Sequence, residues 1–329
     1  MASTHHRWEP PSDAPPDAWV PAYAPERLIP PEPGPSPWQW ALSLILLCLT
    51  FVTATVAGMF YATGYYGAFD VLRLMLRRPQ VLLSALSFSF SLLVILAAHE
   101  MGHFLACRHY GMRATPPYFL PVPLPLTGTL GAFIKIKSAF RSRRALFDIG
   151  IAGPLAGFIF ALPVLWTGIG ISKVVPKLPA HVPSLSFGEP LLFRLVAAVT
   201  LGYAPGRQDL MAHPMAMAGW VGLLATSLNL LPIWQLDGGH IAYAMCGAKW
   251  QKRLSITALV ALILVSFLGW PTPSYLLFGV MLLLIGWRAG FHHPAPLVDD
   301  QPLGAWRVIL GCVAFAILVL SFTPVPIVA

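Results

Sequence analysis

The chain is poor in charge, because Asp, Glu, Lys and Arg make up only 10% of its 329 residues. A soluble domain averages about 25%. Together with 57% hydrophobic residues and a mean hydropathy of +0.69, this scarcity excludes an ordinary soluble domain and predicts a multi-pass membrane protein. The formal net charge of +8 does not indicate a nucleic-acid partner. The basic residues lie in short loops between apolar spans, where they orient a protein in the lipid bilayer.

Cysteine is also scarce, and a cleavable signal peptide is not visible. The four cysteines form no C-x-x-C pair, and most lie in or next to apolar spans, which argues against a disulfide framework. Residues 1–37 are polar and Pro-rich and are predicted to be a disordered tail. This tail is not Arg- and Ser-rich, so we do not expect an organelle transit peptide.

Long apolar runs dominate the rest of the chain. Each should be helical, because only helices or closed barrels satisfy their backbone polar groups within lipid. The predicted fold is an all-α polytopic membrane protein with six to seven transmembrane helices. Fourteen Lys and Arg residues fall on one side if the N-terminus is cytoplasmic, against seven on the other, which favours that orientation. The apolar runs occupy residues 39–61, 81–105, 147–171, 212–232, 255–270, 274–287 and 304–322.

Two imidazoles and a carboxylate end the second apolar run, where His99, Glu100 and His103 form H-E-M-G-H. Ionisable groups within a membrane segment are costly and usually functional. Positions i and i+4 share one helix face, so both imidazoles can bind one metal ion. Glu100 can then act on a metal-bound water. The alternative is a buried Glu–His pair that only stabilises helix packing.

Asp237 is the candidate third ligand, because it and Glu100 are the acidic residues set among apolar helices. Two histidines and one carboxylate suit zinc and leave one position for water. Asp237 could instead cap the following helix. Cys107, four residues after His103, is either a further ligand or a packed cysteine. His240 is expected to pack or to support a ligand rather than bind metal.

The segment from Asn229 to Asp237 contains Pro232 and is followed by Gly238–Gly239. Proline removes a backbone donor and glycine allows unusual backbone angles, so a break is predicted there that turns Asp237 toward the metal. The amide of Asn229 could donate to the oxyanion formed on the scissile carbonyl, or it could form an interhelical hydrogen bond.

The chain between the second and third apolar runs is predicted to be non-helical. Residues 115–127 are too Pro-rich for a helix, and residues 128–137 alternate as in a strand. At membrane depth such a segment must be buried or line a wet cavity, and its edge could pair with an extended substrate. A cytoplasmic surface loop is the alternative. The small residues of Ala152–Gly157 allow close helix approach, which could hold that helix against the metal site.

These motifs resemble the site-2 protease family of intramembrane zinc metalloproteases over about residues 81–250. The matching segments are H-E-M-G-H, G-T-L-G-A from Gly128, F-D-I-G-I-A-G-P-L-A-G from Phe147, and N-L-L-P-I-W-Q-L-D-G-G from Asn229. The resemblance implies Zn2+ bound by His99, His103 and Asp237, with Glu100 as the catalytic base. It also implies a transmembrane protein substrate, such as an anti-sigma factor or a membrane-tethered regulator, and a bacterial cell inner membrane as the location.

The leading hypothesis is therefore an intramembrane zinc endopeptidase acting in regulated intramembrane proteolysis. The disordered tail 1–37 would precede a metalloprotease core at 38–253, and additional C-terminal transmembrane helices would occupy 254–329. No polar stretch is long enough for a PDZ domain, so the choice of substrate is not explained. The alternatives are a membrane metal transporter or metal sensor that uses the same ligands, and a binder without activity.

Overall fold

The structure is a computed structural model that describes residues 32–64, 77–124, 126–177, 186–289, 293–299 and 302–328. Most of the predicted tail lies outside them. Helices dominate, and short strands pair two by two. The helices are α1 (Pro37–Thr63), α2 (Pro79–His109), α3 (Arg143–Gly170), α4 (Leu191–Leu201), α5 (Pro214–Asn229), α6 (Asp237–Ser266), α7 (Leu276–Ala289) and α8 (Ala305–Ser321). The strands are β1 (Tyr118–Pro121), β2 (Thr129–Phe133), β3 (Lys173–Pro176), β4 (Ser186–Phe187), β5 (Gln208–Met211) and β6 (Ile327–Val328).

Within the described ranges, four helical stretches are long and apolar enough to cross a membrane: α1, α2, α3 and Asp237–Gly269. The prediction of a largely helical membrane protein is therefore confirmed. The count of six to seven spans is not, since α4, α7 and α8 are shorter apolar helices. Helix α5 has 16 residues, fewer than the roughly 20 that a full crossing requires.

Helix α6 is not one straight helix. Gly247 has non-helical angles, φ 79° and ψ 169°. Beyond it, the Ser255 hydroxyl accepts from the Trp234 amide (2.8 Å) and donates to the Pro232 carbonyl (3.0 Å). A straight helix would carry Ser255 about 27 Å from Asp237. The chain therefore reverses at Gly247, and residues 237–246 and 248–266 form two arms. The second arm corresponds to the run predicted at 255–270, and the domain boundary predicted at 253/254 lies inside it.

Helix α2 is central and packs against α1, α3 and α5. Its fully buried side chains include Phe88 and Leu92, which share one apolar core with Leu165 of α3 and Leu223 of α5. Gly102 allows α2 to contact α3 closely, because a Cβ there would lie 2.4 Å from the Ala152 carbonyl oxygen. The helix that carries H-E-M-G-H is thus surrounded by protein on several sides.

The two ends of the bundle differ. At one end, basic side chains donate to backbone carbonyls of neighbouring segments: Arg108 to Glu32 (3.2 Å), Arg141 to Gly111 (2.8 Å), Arg143 to Ala244 (2.6 Å) and Arg144 to Pro302 (2.9 Å). At the other end lie the pairs β3–β5 and β4–β6, which sequence analysis did not predict. These four arginines, which the sequence predicted to share one membrane face, therefore lie at the same end.

The predicted strand element after α2 is a hairpin. Strands β1 and β2 pair antiparallel with Tyr118 opposite Phe133, and a bridge between Ala114 and Ile136 extends the pairing. The hairpin tip packs on the middle of α1. There Gly128 has φ 67°, and a Cβ would lie 2.3 Å from the Thr53 carbonyl oxygen. The hairpin lies against a membrane-spanning helix and does not form the alternative surface loop.

Helix α8 is fixed to α3 by an ion pair. The Arg307 guanidinium donates to both carboxylate oxygens of Asp148, at 2.8 and 2.7 Å. The Tyr110 hydroxyl, just beyond α2, donates to the same carboxylate. Burial, together with this hydrogen bond, raises the pKa of Tyr110 to about 12. The C-terminal helix thereby connects to the end of the helix that bears the two histidines.

Candidate metal centre

Three side chains from distant parts of the sequence converge inside the bundle. His99 Nε2 lies 3.2 Å from Asp237 Oδ2, His103 Nε2 lies 3.3 Å from Asp237 Oδ1, and the two Nε2 atoms are 3.2 Å apart. Both histidines are buried, with 5% and 7% of their surface exposed. The structure therefore brings together the three predicted ligands.

The arrangement fits zinc. A tetrahedral zinc ion with ligand bonds of about 2.0–2.1 Å holds its ligand atoms about 3.3 Å apart. The two histidine Nε2 atoms lie 3.2 Å apart, and each lies 3.2–3.3 Å from one of the two carboxylate oxygens of Asp237, so the three residues are close enough to share one ion. Two imidazole nitrogens and one carboxylate are also a donor set that zinc takes in catalytic sites, where a fourth position stays open.

Helix α3 fixes the orientation of His103. The Nδ1 of this ring lies 2.7 Å from the Ile149 carbonyl oxygen, so Nδ1 carries the proton and Nε2 presents a lone pair to the other two ligands. Histidines that bind a metal through one ring nitrogen typically donate a hydrogen bond through the other. A Cβ at Gly153 would lie 2.0 Å from His103 Nε2, and one at Gly157 would lie 3.1 Å from His99 Nδ1. The small residues predicted to hold this helix against the site do so.

Asp237 begins α6, and its side chain points to both histidines. Helix α5 ends at Asn229, and the chain up to Leu236, the N-cap of α6, is not helical. The predicted break is present, but the reason given for its glycines is wrong. Gly238 and Gly239 have no positive φ. They permit close packing, since a Cβ on either would lie 2.0–2.2 Å from a carbonyl oxygen of the preceding loop.

Glu100 lies beside the three ligands and is 7% exposed. Its carboxylate interacts electrostatically with all three and lies close enough to the backbone of Ile134 to interact with it. Ile134 directly follows β2, so the hairpin edge reaches the glutamate. The sequence predicted a strand near the site but not this contact, because the contact depends on how the hairpin packs against the helices.

The other candidates separate clearly. Asn229 Nδ2 lies 3.2 Å from His99 Nε2, so its amide is at the edge of the centre. Cys107 is fully buried in an apolar cluster with Phe104 and Met112 and does not belong to the group of donor atoms found among the described residues. The alternative of Cys107 as a ligand is therefore wrong. His240 does not join the group either.

Comparison with known proteins agrees with this site. The model of peptidase family M50 matches residues 87–269, a range that includes both halves of the metal centre. The chain belongs to family M50, the site-2 proteases. Its relatives include proteins named probable zinc metalloproteases, whereas nothing among them supports the transporter alternative.

The relatives include plant proteins with chloroplastic names. The chain is 32% identical over 246 residues to probable zinc metalloprotease EGY1 of Arabidopsis thaliana, covering 74% of this chain and 43% of that protein. It is 33% identical over 249 residues to EGY1 of Oryza sativa subsp. japonica, covering 73% and 41%. The chain thus spans less than half the length of these two relatives. No solved structure matches it significantly.

Proposed function

We propose that this protein is an intramembrane zinc endopeptidase that cleaves peptide bonds of transmembrane proteins. The observation that carries the proposal is the convergence of His99, His103 and Asp237, at 3.2–3.3 Å, between apolar helices. Membership of family M50 and the names of the relatives support a zinc-dependent reaction.

His99, His103 and Asp237 would hold the zinc ion, and Glu100 would act as the general base. Bound zinc supplies a Lewis acid that activates water and polarises the scissile carbonyl. Glu100 takes a proton from the attacking water and returns it to the leaving amine. Its burial beside the ligands, and its interaction with the backbone of Ile134, support this role because they hold the carboxylate next to the reacting atoms.

Asn229 is proposed to stabilise the oxyanion. If His99 Nε2 binds zinc, this nitrogen cannot also accept from Asn229 Nδ2, which lies 3.2 Å away. The amide N–H is then free to donate to an oxygen that develops charge at the same centre. The alternative role of Asn229 is an interhelical hydrogen bond to His99. That role would leave the Asn229 amide without its acceptor once His99 binds zinc.

The substrate is proposed to be a transmembrane segment that unwinds into an extended strand beside β2. A helix hides its peptide bonds, whereas an extended chain can pair with a strand edge. The contact between Ile134 and Glu100 supports this choice, since it places the edge next to the catalytic base. An anti-sigma factor or another membrane-tethered regulator is the proposed substrate type, and the bilayer is the surrounding solvent.

The N-terminus is proposed to face the cytoplasm. The start of α1 meets the Arg-rich end of the bundle through the hydrogen bond between Glu32 and Arg108, and the excess of basic residues favours the cytoplasmic side. The bacterial inner membrane stays a prediction from the sequence, while the names of the relatives place those proteins in chloroplasts.

The test is a cleavage assay with the purified protein and a model transmembrane substrate in liposomes, read by mass spectrometry. The wild-type protein should contain one zinc ion and cut the substrate. Glu100→Gln should keep the zinc and lose cleavage by at least about 100-fold. Asp237→Asn is the matched control, because it should lose both zinc and activity. Full cleavage by Glu100→Gln would refute the proposal.

A further inference from the structure

A short segment between α7 and α8, residues 293–299, crosses the start of α3. We call it the strap. Its Leu297 amide donates to the Phe140 carbonyl (2.9 Å), its Val298 amide donates to the Arg141 carbonyl (3.1 Å), and the Arg143 amide donates back to Val298 (3.0 Å). The strap lies outside residues 87–269, the range that the family model matches. It therefore adds a feature that the family match does not describe.

One strap residue, His293, contacts the helix that carries Asp237. His293 is only 6% exposed, and its Nδ1 lies 2.6 Å from the Pro294 carbonyl oxygen. Nδ1 must therefore carry the proton, which leaves a lone pair on Nε2. His240 Nδ1 lies 2.5 Å from this Nε2 and must be the donor. The direction of the hydrogen bond between the two rings is thus fixed.

The first turn of α6 is clamped by this contact from one side and by α3 from the other. His240 lies one turn after Asp237. On the α3 side, an added Cβ at Gly150 would lie 2.8 Å from His240 Cβ and 3.3 Å from the Asp237 carbonyl oxygen, so no space separates the helices. On the strap side, the His240 ring packs against His293 and Phe140, with ring centres 4.7 and 5.2 Å away.

This clamp matters because the ligands come from two helices. His99 and His103 share α2, so their spacing is set by one helix. Asp237 is on α6, and its distance to the histidines depends on where the first turn of α6 lies. Zinc sites tolerate shifts of only about 0.2 Å in ligand distance. Whatever fixes that turn also sets the affinity of the site.

We propose that His293 is a positioning residue for the peptidase reaction, which accepts the hydrogen bond of His240 and thereby fixes Asp237 as the third zinc ligand. The inference rests on the proposed function. Burial lowers the pKa of His293, which keeps the ring neutral and its acceptor available. The strap thus acts on the metal centre through the first turn of α6, without touching substrate or metal.

Two variants separate positioning from packing. His293→Gln keeps an acceptor at the place of Nε2 but removes the ring, and His293→Phe keeps the ring but removes the acceptor. Zinc release to a chelator and the visible spectrum of the Co2+-loaded protein are measured without substrate. His293→Phe should speed zinc release about 10-fold, as loss of a supporting partner typically does, and should shift the cobalt spectrum. His293→Gln should stay within about twofold of the wild type.

Tyr243→Phe is the matched control, because it removes the hydrogen bond from Tyr243 to Asp299 (3.1 Å), another contact of the strap with α6, and keeps the ring that packs 5.0 Å from the His293 ring. It should leave zinc release unchanged. The same comparison can be made on α6 without changing the strap. His240→Asn retains a donor and should release zinc like the wild type. His240→Leu loses the donor and should release zinc like His293→Phe. If His293→Phe released zinc at the wild-type rate and His293→Gln released it faster, the ring and not the acceptor would matter. That result would overturn the proposal.

The outcomes also separate this inference from the proposed function. A wild-type protein that cleaves substrate, together with unchanged zinc release in His293→Phe and His240→Leu, overturns the role of His293 alone. A wild-type protein that holds zinc but cuts no substrate overturns the proposed function, and the order of the zinc-release rates still decides the role of His293.

Discussion

Replacing Gly153 with alanine should remove zinc from the protein while most of the fold persists. Gly153 is on α3, and a Cβ there would lie 2.0 Å from His103 Nε2, 2.4 Å from Cδ2 and 2.5 Å from Cε1. The added methyl group would therefore overlap the metal-binding edge of the imidazole. The ring cannot simply rotate away, because its Nδ1 is hydrogen-bonded to the Ile149 carbonyl.

The size of the effect follows from these distances. Ordinary contact begins at 3.4 Å, so Nε2 would have to retreat by about 1.4 Å from its place at 2.0 Å. Ligand distances in zinc sites vary by only about 0.2 Å. We therefore expect zinc affinity to fall by at least about 100-fold, at or beyond the upper end of what loss of a supporting partner causes. Overpacking should also cost about 1–3 kcal/mol of stability.

Two further glycines on α3 provide controls. At Gly157 the added Cβ would lie 3.1 Å from His99 Nδ1, so Gly157→Ala needs a shift of a few tenths of an ångström and should lose far less zinc. At Gly168 it would lie 2.4 Å from the Ala216 backbone nitrogen, at the far end of the helix. Gly168→Ala should therefore lower the melting temperature and keep zinc. Metal content and melting temperature are measured on the same detergent-purified samples. If Gly153→Ala kept a full zinc ion with normal affinity, the assignment of His103 Nε2 as a ligand atom would be wrong.

The remaining predictions concern the supports of the site. Arg307→Met should lower the free energy of unfolding by about 1.5–3 kcal/mol, the usual worth of hydrogen bonds to a charged partner, because Asp148 loses both of its guanidinium bonds; an SDS unfolding titration would show it. The raised pKa of Tyr110, about 12, means that the hydroxyl stabilises the fold in its neutral form. That contribution should be complete below pH 10 and lost as the pH rises toward 12, and melting curves of Tyr110→Phe should show a smaller loss over this window. Gly128→Ala should reduce cleavage at least about 10-fold while zinc content stays normal, because Gly128 has φ 67° and its Cβ would overlap the Thr53 carbonyl of α1; metal loss in this variant would contradict a role confined to the hairpin.

The sequence predicted local geometry well. Positions 99 and 103 are one helical turn apart, and this spacing alone places both imidazoles on one face. The proline-rich stretch after α2 and the alternation that follows were enough to predict the hairpin. Each of these features is determined within about ten residues of chain.

Long-range features required the structure or a family resemblance. Asp237 is separated from His103 by more than 130 residues, and nothing in local spacing measures the distance between them. The glycines after Asp237 were given the wrong reason because contact with a preceding carbonyl cannot be read from a dipeptide. His293 was missed altogether. The only signals for His293 were an adjacent proline and a position beside the Arg-rich end of the bundle. Both features are common in loops.

The reversal at Gly247 has a consequence for the supply of reactant. The first arm of α6 has ten residues and extends about 15 Å, half the thickness of a hydrocarbon core of about 30 Å. With Gly247 at the membrane surface, Asp237 would lie near the middle of the membrane, although the proposed hydrolysis consumes one water molecule for every bond cut. Hydration must reach that depth from the Arg-rich end, so turnover depends on how far solvent penetrates and not only on the chemistry at the ion. The thickness of the host bilayer is then itself a control on the rate.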